Sequence, residues 1–294
     1  MIDSHCHLAD RKFTRDLDAV LRRAAERGVT AMVTIADDIA EAKKCVELAE
    51  KYDQLFCTVG VHPHCAKAWR PARCKRALDG RDRQDSLREL RTFSGSSDKV
   101  KAIGEIGLDY HYDHSPRDVQ QEVFKIQLEL AKELHLPAVV HCREAPNQSM
   151  QCTAHTRDAV ASRCVSGSGR AIDDICHILE EVGYFRLVIH CCTERWEDVR
   201  DLVSKRGVLL GFTGIATYPH AGHIRETIRN CPMGQLLVET DAPYLAPQLL
   251  RGQRCEPAHV AEVVKLVAEV KGMSLEEVDR RTTANAVAFF ALPF

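Results

Sequence analysis

The chain has no long hydrophobic run, no surplus of charge and no Cys-x-x-Cys pair, and each absence removes a class of protein. Nowhere do about 18 apolar residues follow one another, the length that a helical membrane span needs. Forty basic side chains stand against 42 acidic ones, a formal charge of -2 at pH 7, so there is no global positive field to coat nucleic acid non-specifically. The thirteen cysteines are an odd number, scattered and without a Cys-x-x-Cys pair. That excludes a zinc ribbon or a dithiol redox motif and fits reduced thiols. Cys57, Cys142 and Cys191 fall inside apolar runs, where a thiol packs as a small hydrophobe. Met1-Ile2-Asp3-Ser4-His5 has neither the basic nor the apolar region of a secretory leader. The expectation is a protein of the cytoplasm, the nucleus or both, neither secreted nor held in a membrane.

What is present is an ordinary globular composition, 45% hydrophobic and 28% charged. Apolar runs recur at Met1 to Cys6, Val29 to Ile35, Leu55 to Val61, Val100 to Ile106, Ala138 to Cys142, Leu187 to Cys191, Gly207 to Phe212 and Leu236 to Glu239. Ala138-Val139-Val140 and Leu187-Val188-Ile189 show no alternation, as expected of parallel strands covered on both faces. Amphipathic stretches lie between the runs: Phe13 to Arg27, Ile39 to Lys51, Pro116 to Leu134, Ile172 to Val182, Trp196 to Arg206 and Pro257 to Val270. In one of them Val119, Val123, Ile126 and Leu130 form a helical stripe, with Pro116 suited to the first turn.

Strand and helix alternating without a break in composition point to α/β architecture, a single (β/α)8 TIM barrel over residues 1–294. Barrels of this kind reach such a length as one domain. Ser274 to Phe290, opened by Ser274 and Glu277 at capping-box spacing, should cap it. Two stretches interrupt the rhythm. Lys67 to Arg91 holds nine Lys/Arg against four Asp/Glu, and Ala145 to Arg170 is rich in Ser, Gly and Cys. Both follow a strand, so insertions are expected at about 67–91 and 145–170 on the rim where barrel active sites occur.

The residues that can do chemistry stand where the apolar runs stop. His5 and His7 close the first run, Glu105 the fourth, His141 the fifth, His190 the sixth and Asp241 the eighth. In a barrel these ends converge on one rim, and the His5-x-His7 spacing turns both imidazoles to the same side of a strand. Such a set can hold one catalytic metal or two bridged by a carboxylate, for which Glu105 in the middle is the best placed. Burying this much charge without a cation would be very costly.

Five segments carry more than spacing: Ile2-Asp3-Ser4-His5-Cys6-His7-Leu8, Gly60-Val61-His62-Pro63-His64, Ala102-Ile103-Gly104-Glu105-Ile106-Gly107-Leu108-Asp109-Tyr110, His141-Cys142-Arg143-Glu144-Ala145, and Leu237 to Pro247 with Glu239-Thr240-Asp241-Ala242-Pro243 at its centre. In this order they closely resemble the TatD family of metal-dependent deoxyribonucleases, and the resemblance runs on through Arg254-x-Glu256-Pro257-Ala258 and Thr282-Thr283-Ala284-Asn285-Ala286. It implies a metal-dependent hydrolase barrel that cleaves phosphodiesters with a metal-activated water, usually as a 3′-to-5′ exonuclease on DNA ends. It also implies two divalent ions per chain. His5, His7, Glu105 and Asp241 would hold one, and Glu105 would bridge to a second held by His141 and His190, with Glu105 and Asp241 as the catalytic carboxylates.

His62, His64 and Arg143 are the implied substrate contacts, the arginine fork fitting a pair of phosphate oxygens. Nitrogen-rich ligands favour Zn2+, with Mg2+ or Mn2+ as alternatives. Arg73, Lys75 and Arg76 in the basic stretch would then track DNA.

Three features depart from the family pattern. His190-Cys191-Cys192-Thr193-Glu194 lacks its aromatic and glycine, Cys255 stands where Asn is common, and the stretch after His141 is longer than usual. Two other readings are weighed. An amidohydrolase or lactonase acting on a small molecule commonly uses a carbamylated lysine from strand four, whereas here that strand supplies Glu105 and Lys101 lies at its wrong end. A non-catalytic barrel adaptor would not need all six ligand positions intact.

Overall fold

The computed structural model describes residues 1–69, 83–146 and 169–294. Its apolar runs form eight parallel strands among the described residues: β1 (Ile2–Cys6), β2 (Ala31–Thr34), β3 (Leu55–Val59), β4 (Val100–Asp109), β5 (Ala138–Arg143), β6 (Leu187–Ile189), β7 (Leu209–Phe212) and β8 (Leu236–Val238). They pair in sequence order. The first and last strands meet beyond their regular ladders, where Asp241 N donates to His5 O at 2.9 Å and His7 N to Ala242 O at 2.6 Å. The sheet thereby closes as a TIM barrel.

Helices α1 (Leu17–Glu26), α2 (Ile39–Lys51), α3 (Arg83–Ser94), α4 (Arg117–Glu133), α5 (Ala171–Val182), α6 (Trp196–Arg206), α7 (Gly222–Asn230), α8 (Val260–Lys271) and α9 (Leu275–Phe290) lie between and after the strands, with short 3-10 turns among them. Their apolar faces cover the outside of the barrel, Phe124 of α4, Ile175 of α5 and Val263 of α8 sharing one core with Ile103, Val140 and Leu210. A second core fills the barrel interior, where Ile2, Val33, Phe56, Val139, Val188 and Leu237 meet Phe289, Phe290 and Leu292. The end of α9 therefore plugs the amino-terminal mouth, which leaves the opposite rim for chemistry. None of the described helices is long and apolar enough to cross a membrane.

Several boundaries differ from expectation for local reasons. β4 continues past Ile106 to Asp109, so Glu105 lies inside the strand and does not close it. Gly107 reads as a breaker, yet it sits in register with His141 of β5, and with φ +132° a Cβ there would collide with the His141 carbonyl. It permits the strands to touch. α1 starts at Leu17 because successive turns occupy Asp10 to Asp16. Pro116 stands just before α4, and Pro257–His259 form a separate 3-10 turn ahead of α8. Ser274 accepts from Glu277 N at 3.2 Å, but the Glu277 carboxylate turns to Arg280 and Arg281, so only half the capping box forms.

Two buried glutamines of α4 set the rim. Gln120 accepts from Asp109 N at 2.8 Å and donates to Asp109 O and Ser115 O, while Gln127 takes both backbone groups of Val61. They fix the carboxyl ends of β4 and β3. The insertions expected near 67–91 and 145–170 lie largely outside the described residues, as do Arg73, Lys75 and Arg76.

Candidate metal centre

Strand period and barrel closure bring the six expected ligand positions together. His5 lies in β1 and His7 just beyond it, Glu105 in β4, His141 in β5, His190 after β6 and Asp241 after β8. His5 Nε2 stands 3.3 Å from His7 Nε2, 3.4 Å from Glu105 Oε2 and 3.5 Å from Asp241 Oδ1. His7 Nε2 is 3.2 Å from Asp241 Oδ1 and 3.9 Å from Glu105 Oε2. Four donors about 2.0–2.1 Å from a tetrahedral zinc would be about 3.3–3.4 Å apart. The donor set thus fits a small divalent ion with little change.

The other oxygen of Glu105 faces a different group. Oε1 lies 2.8 Å from His141 Nδ1, 3.0 Å from His190 Nε2 and 3.6 Å from His62 Nε2. One buried carboxylate therefore addresses two sets of nitrogens, one oxygen to each. His62, an implied substrate contact, is buried and stands with this second group. His64 Nε2 sits 2.9 Å from Asp109 Oδ2 and so is tied back to the protein. Arg143 reaches the rim, its guanidinium over the Tyr112 ring.

The electrostatics call for positive charge. Burial alone would raise the Glu105 carboxyl, but His190 and His62, with hydrogen bonds from His141 and His190, hold it well below the usual carboxylate range. Asp241 is likewise held down against its burial by His7, His190 and His5. Burial would lower His7, yet Asp37 and Asp241 push it up to about 10. His190 is raised well above its ordinary value by Glu105 and Glu239 against its burial. His5 moves the other way, lowered by burial and by the His190 ring stacked on it at 3.6 Å. Nδ1 of His5 is buried without a partner, and Nδ1 of His7 and His190 is buried with no well-formed hydrogen bond, the carboxylates of Asp37 and Glu239 standing at ion-pair distance behind them.

Sequence reasoning did not assign the carboxylates behind the imidazoles. Asp109 Oδ2 is 3.1 Å from His141 Nε2, Glu239 Oε1 is 3.3 Å from His190 Nδ1, and Asp37 Oδ1 is 3.6 Å from His7 Nδ1. Glu239 also accepts from Cys191 N at 2.5 Å and Ser4 Oγ at 3.2 Å. Asp3, pushed up to about 8 by burial, accepts from Thr240 N and Oγ. Thr240 Oγ accepts in turn from Ala242 N at 3.1 Å, which fixes the loop carrying Asp241. The available signal was an acid inside an apolar run, as in Leu237-Val238-Glu239.

A family profile described as TatD related DNase matches residues 2–291. The chain belongs to this TatD family. It is 32% identical over 295 residues to the Bacillus subtilis protein named uncharacterized metal-dependent hydrolase YabD, with 99% of each chain covered. It is 29% identical over 299 residues to the Shigella flexneri protein named 3′-5′ ssDNA/RNA exonuclease TatD, with 100% of each covered. The crystal structure of YJJV, a TatD homologue from Escherichia coli K12, superposes with a TM-score of 0.80 at 28% identity, covering 100% of this chain and 98% of that one.

The protein is thus a TatD-family metal-dependent hydrolase on a TIM barrel. Two of its departures from the TatD pattern, at Cys191 and Cys255, are absorbed locally. Cys191 takes a left-handed turn, φ +43°, with its N–H given to Glu239 and its Sγ 3.3 Å from Thr213 Oγ. Cys255 is fully buried, its Sγ 3.9 Å from Thr240 O.

Proposed function

We propose that this TatD-family hydrolase cleaves phosphodiester bonds at DNA strand ends, as a 3′-to-5′ exonuclease, with two divalent ions. His5, His7, Glu105 and Asp241 would hold one, and Glu105, His141 and His190 the other, with Zn2+ favoured by the nitrogen-rich set and Mg2+ or Mn2+ as alternatives. The observation that carries this reading is Glu105, whose two oxygens face the two imidazole groups at 2.8–3.9 Å. Ions held there would acidify water towards neutral pH and neutralise charge on the phosphoryl oxygens. Asp241 orients the attacking water and takes its proton. Its carboxylate is held ionised by His7 and the neighbouring imidazoles against burial. Glu239, Asp109 and Asp37 fix the ring orientations from behind. Arg143 is the rim group whose fork suits a phosphate.

The small-molecule amidohydrolase reading gains nothing from this geometry. Lys101, the lysine of β4, lies over the Phe56 ring of the interior core, away from the centre. The test is incubation of the purified chain with added Zn2+, Mn2+ or Mg2+ on single- and double-stranded DNA labelled at either end. Shortening from the 3′ end is expected. Intact DNA, under conditions where a related active nuclease cuts, would refute the reading.

A further inference from the structure

The Arg254-x-Glu256-Pro257 segment supplies no group to the candidate centre, yet its two charged side chains tie the loop after β8 to the loop after β1 and to α1. Arg254 forks onto both oxygens of Asp16 at 2.8 and 2.6 Å, reaches Glu256 at 2.7 Å, and donates through Nη1 to Lys12 O at 2.6 Å. Its guanidinium lies 4.8 Å from the centre of the fully buried Phe13 ring. Glu256 is held in turn by Arg23 at 2.7 and 2.8 Å.

This network fixes Lys12. The Lys12 backbone is held from both sides, its N–H by Asp10 Oδ1 at 2.7 Å and its carbonyl by Arg254. The ammonium lies 4.4 Å from the centre of the Tyr244 ring. Tyr244 is itself tied down, its hydroxyl donating to Asp10 Oδ2 at 3.0 Å and its ring meeting the His7 ring edge-on at 6.1 Å. Because His7 is a candidate ligand, Lys12 stands one aromatic ring outside the centre.

The ammonium is uncommitted. Asp10, the acid of its own turn, gives one oxygen to Lys12 N and the other to the Tyr244 hydroxyl. Among the described residues no carboxylate forms an ion pair with Lys12 Nζ. A cation laid on an aromatic face keeps its N–H donors for an anion, and lysine acts on phosphate as a point charge. A phosphoryl group seated on the ions would occupy the ligand set itself, which leaves Lys12 for the next phosphate along the strand.

We infer that Lys12 is a specificity residue that binds the phosphate adjoining the scissile one, and that Arg254 is the residue that positions it. The inference rests on the phosphodiesterase reading above, and neither residue belongs to the ligand set.

The test pairs two 5′-labelled thymidine oligomers, one with natural links and one whose penultimate link from the 3′ end is an uncharged methylphosphonate. KM and kcat for release of the 3′-terminal nucleotide by the metal-loaded full chain are read on both. The unaltered chain is expected to show a KM about fivefold higher on the modified oligomer, the upper end for one exposed ion pair. Lys12→Gln should show the higher KM on both oligomers, and Lys12→Arg should behave as the unaltered chain. Arg254→Gln should narrow the gap between the oligomers and add little to Lys12→Gln in the double variant, because it acts through the lysine. Thermal unfolding of each variant separates loss of fold from loss of position. A Lys12→Gln chain that still tells the oligomers apart, or an unaltered chain that does not, would overturn the inference. Effects of Arg254→Gln and Lys12→Gln that multiply in the double variant would overturn the positioning role. An unaltered chain that cleaves the natural oligomer but fails these comparisons sinks only Lys12 and Arg254, whereas one that leaves it intact takes the phosphodiesterase reading down as well.

Discussion

Replacing Glu239 by glutamine isolates the contribution of the carboxylates behind the imidazoles. Glu239 is buried at 1% exposure. Its Oε1 stands 3.3 Å from His190 Nδ1 and accepts from Cys191 N, while Oε2 accepts from Ser4 Oγ. Glutamine keeps the shape and the Ser4 contact but removes the charge that fixes the His190 tautomer and increases the basicity of Nε2, the nitrogen facing Glu105. Losing such a support lowers metal affinity about 10- to 100-fold, or about 1.4–2.7 kcal/mol.

Gly211→Ala supplies a second perturbation that leaves every charge in place. A Cβ at Gly211 would collide with the Glu239 carboxylate, so it should lower affinity in the same direction. Competition for Zn2+ against a chromophoric chelator gives the affinities, and thermal unfolding of the chelated proteins separates loss of fold from loss of ligation. Unaltered Zn2+ affinity in Glu239→Gln, with the fold intact, would refute the assignment of Glu239 as the support of His190.

Two further outcomes follow from burial. Burial raises the Glu194 carboxyl from 4.5 to about 8; its contribution to stability is therefore full below the unfolded value and is lost as pH rises from 4.5 through 8. Denaturant unfolding of the parent should weaken relative to Glu194→Gln across that window, by up to about 1.4 kcal/mol per pH unit, and parallel profiles for the two would refute the shift. Phe124, fully buried between α4 and the strands, should cost about 3–5 kcal/mol on truncation to Ala. A loss below 1 kcal/mol in urea unfolding, roughly the effect of a surface change, would contradict its place in the core.

The barrel was legible because parallel strands covered on both faces must be apolar runs, and all eight lie where those runs lie. Strand ends were less legible. Gly107 looks like a stop, and only the partner strand shows that β4 continues through it. The six candidate positions, expected from strand ends together with the family motifs, are brought to one rim by the fold. Glu239, Asp109 and Asp37 could not be read in the same way, since each is matched to an imidazole on another strand and nothing local marks the pair.

The depth of His62, an implied substrate contact, was illegible for the same reason. The turn from Val61 to His64 looks like a mouth, yet the Gln127 clasp on Val61 holds it inward against Glu105.

The shared carboxylate of Glu105 is tested most directly by counting divalent ions in the purified chain and in Glu105→Ala, by elemental analysis after equilibration with Zn2+ and gel filtration. About two equivalents per chain are expected for the parent, and loss of both in the variant, because a bridging carboxylate belongs to both sites. Fewer than one equivalent in a folded parent, or two retained by Glu105→Ala, would contradict the bridged centre.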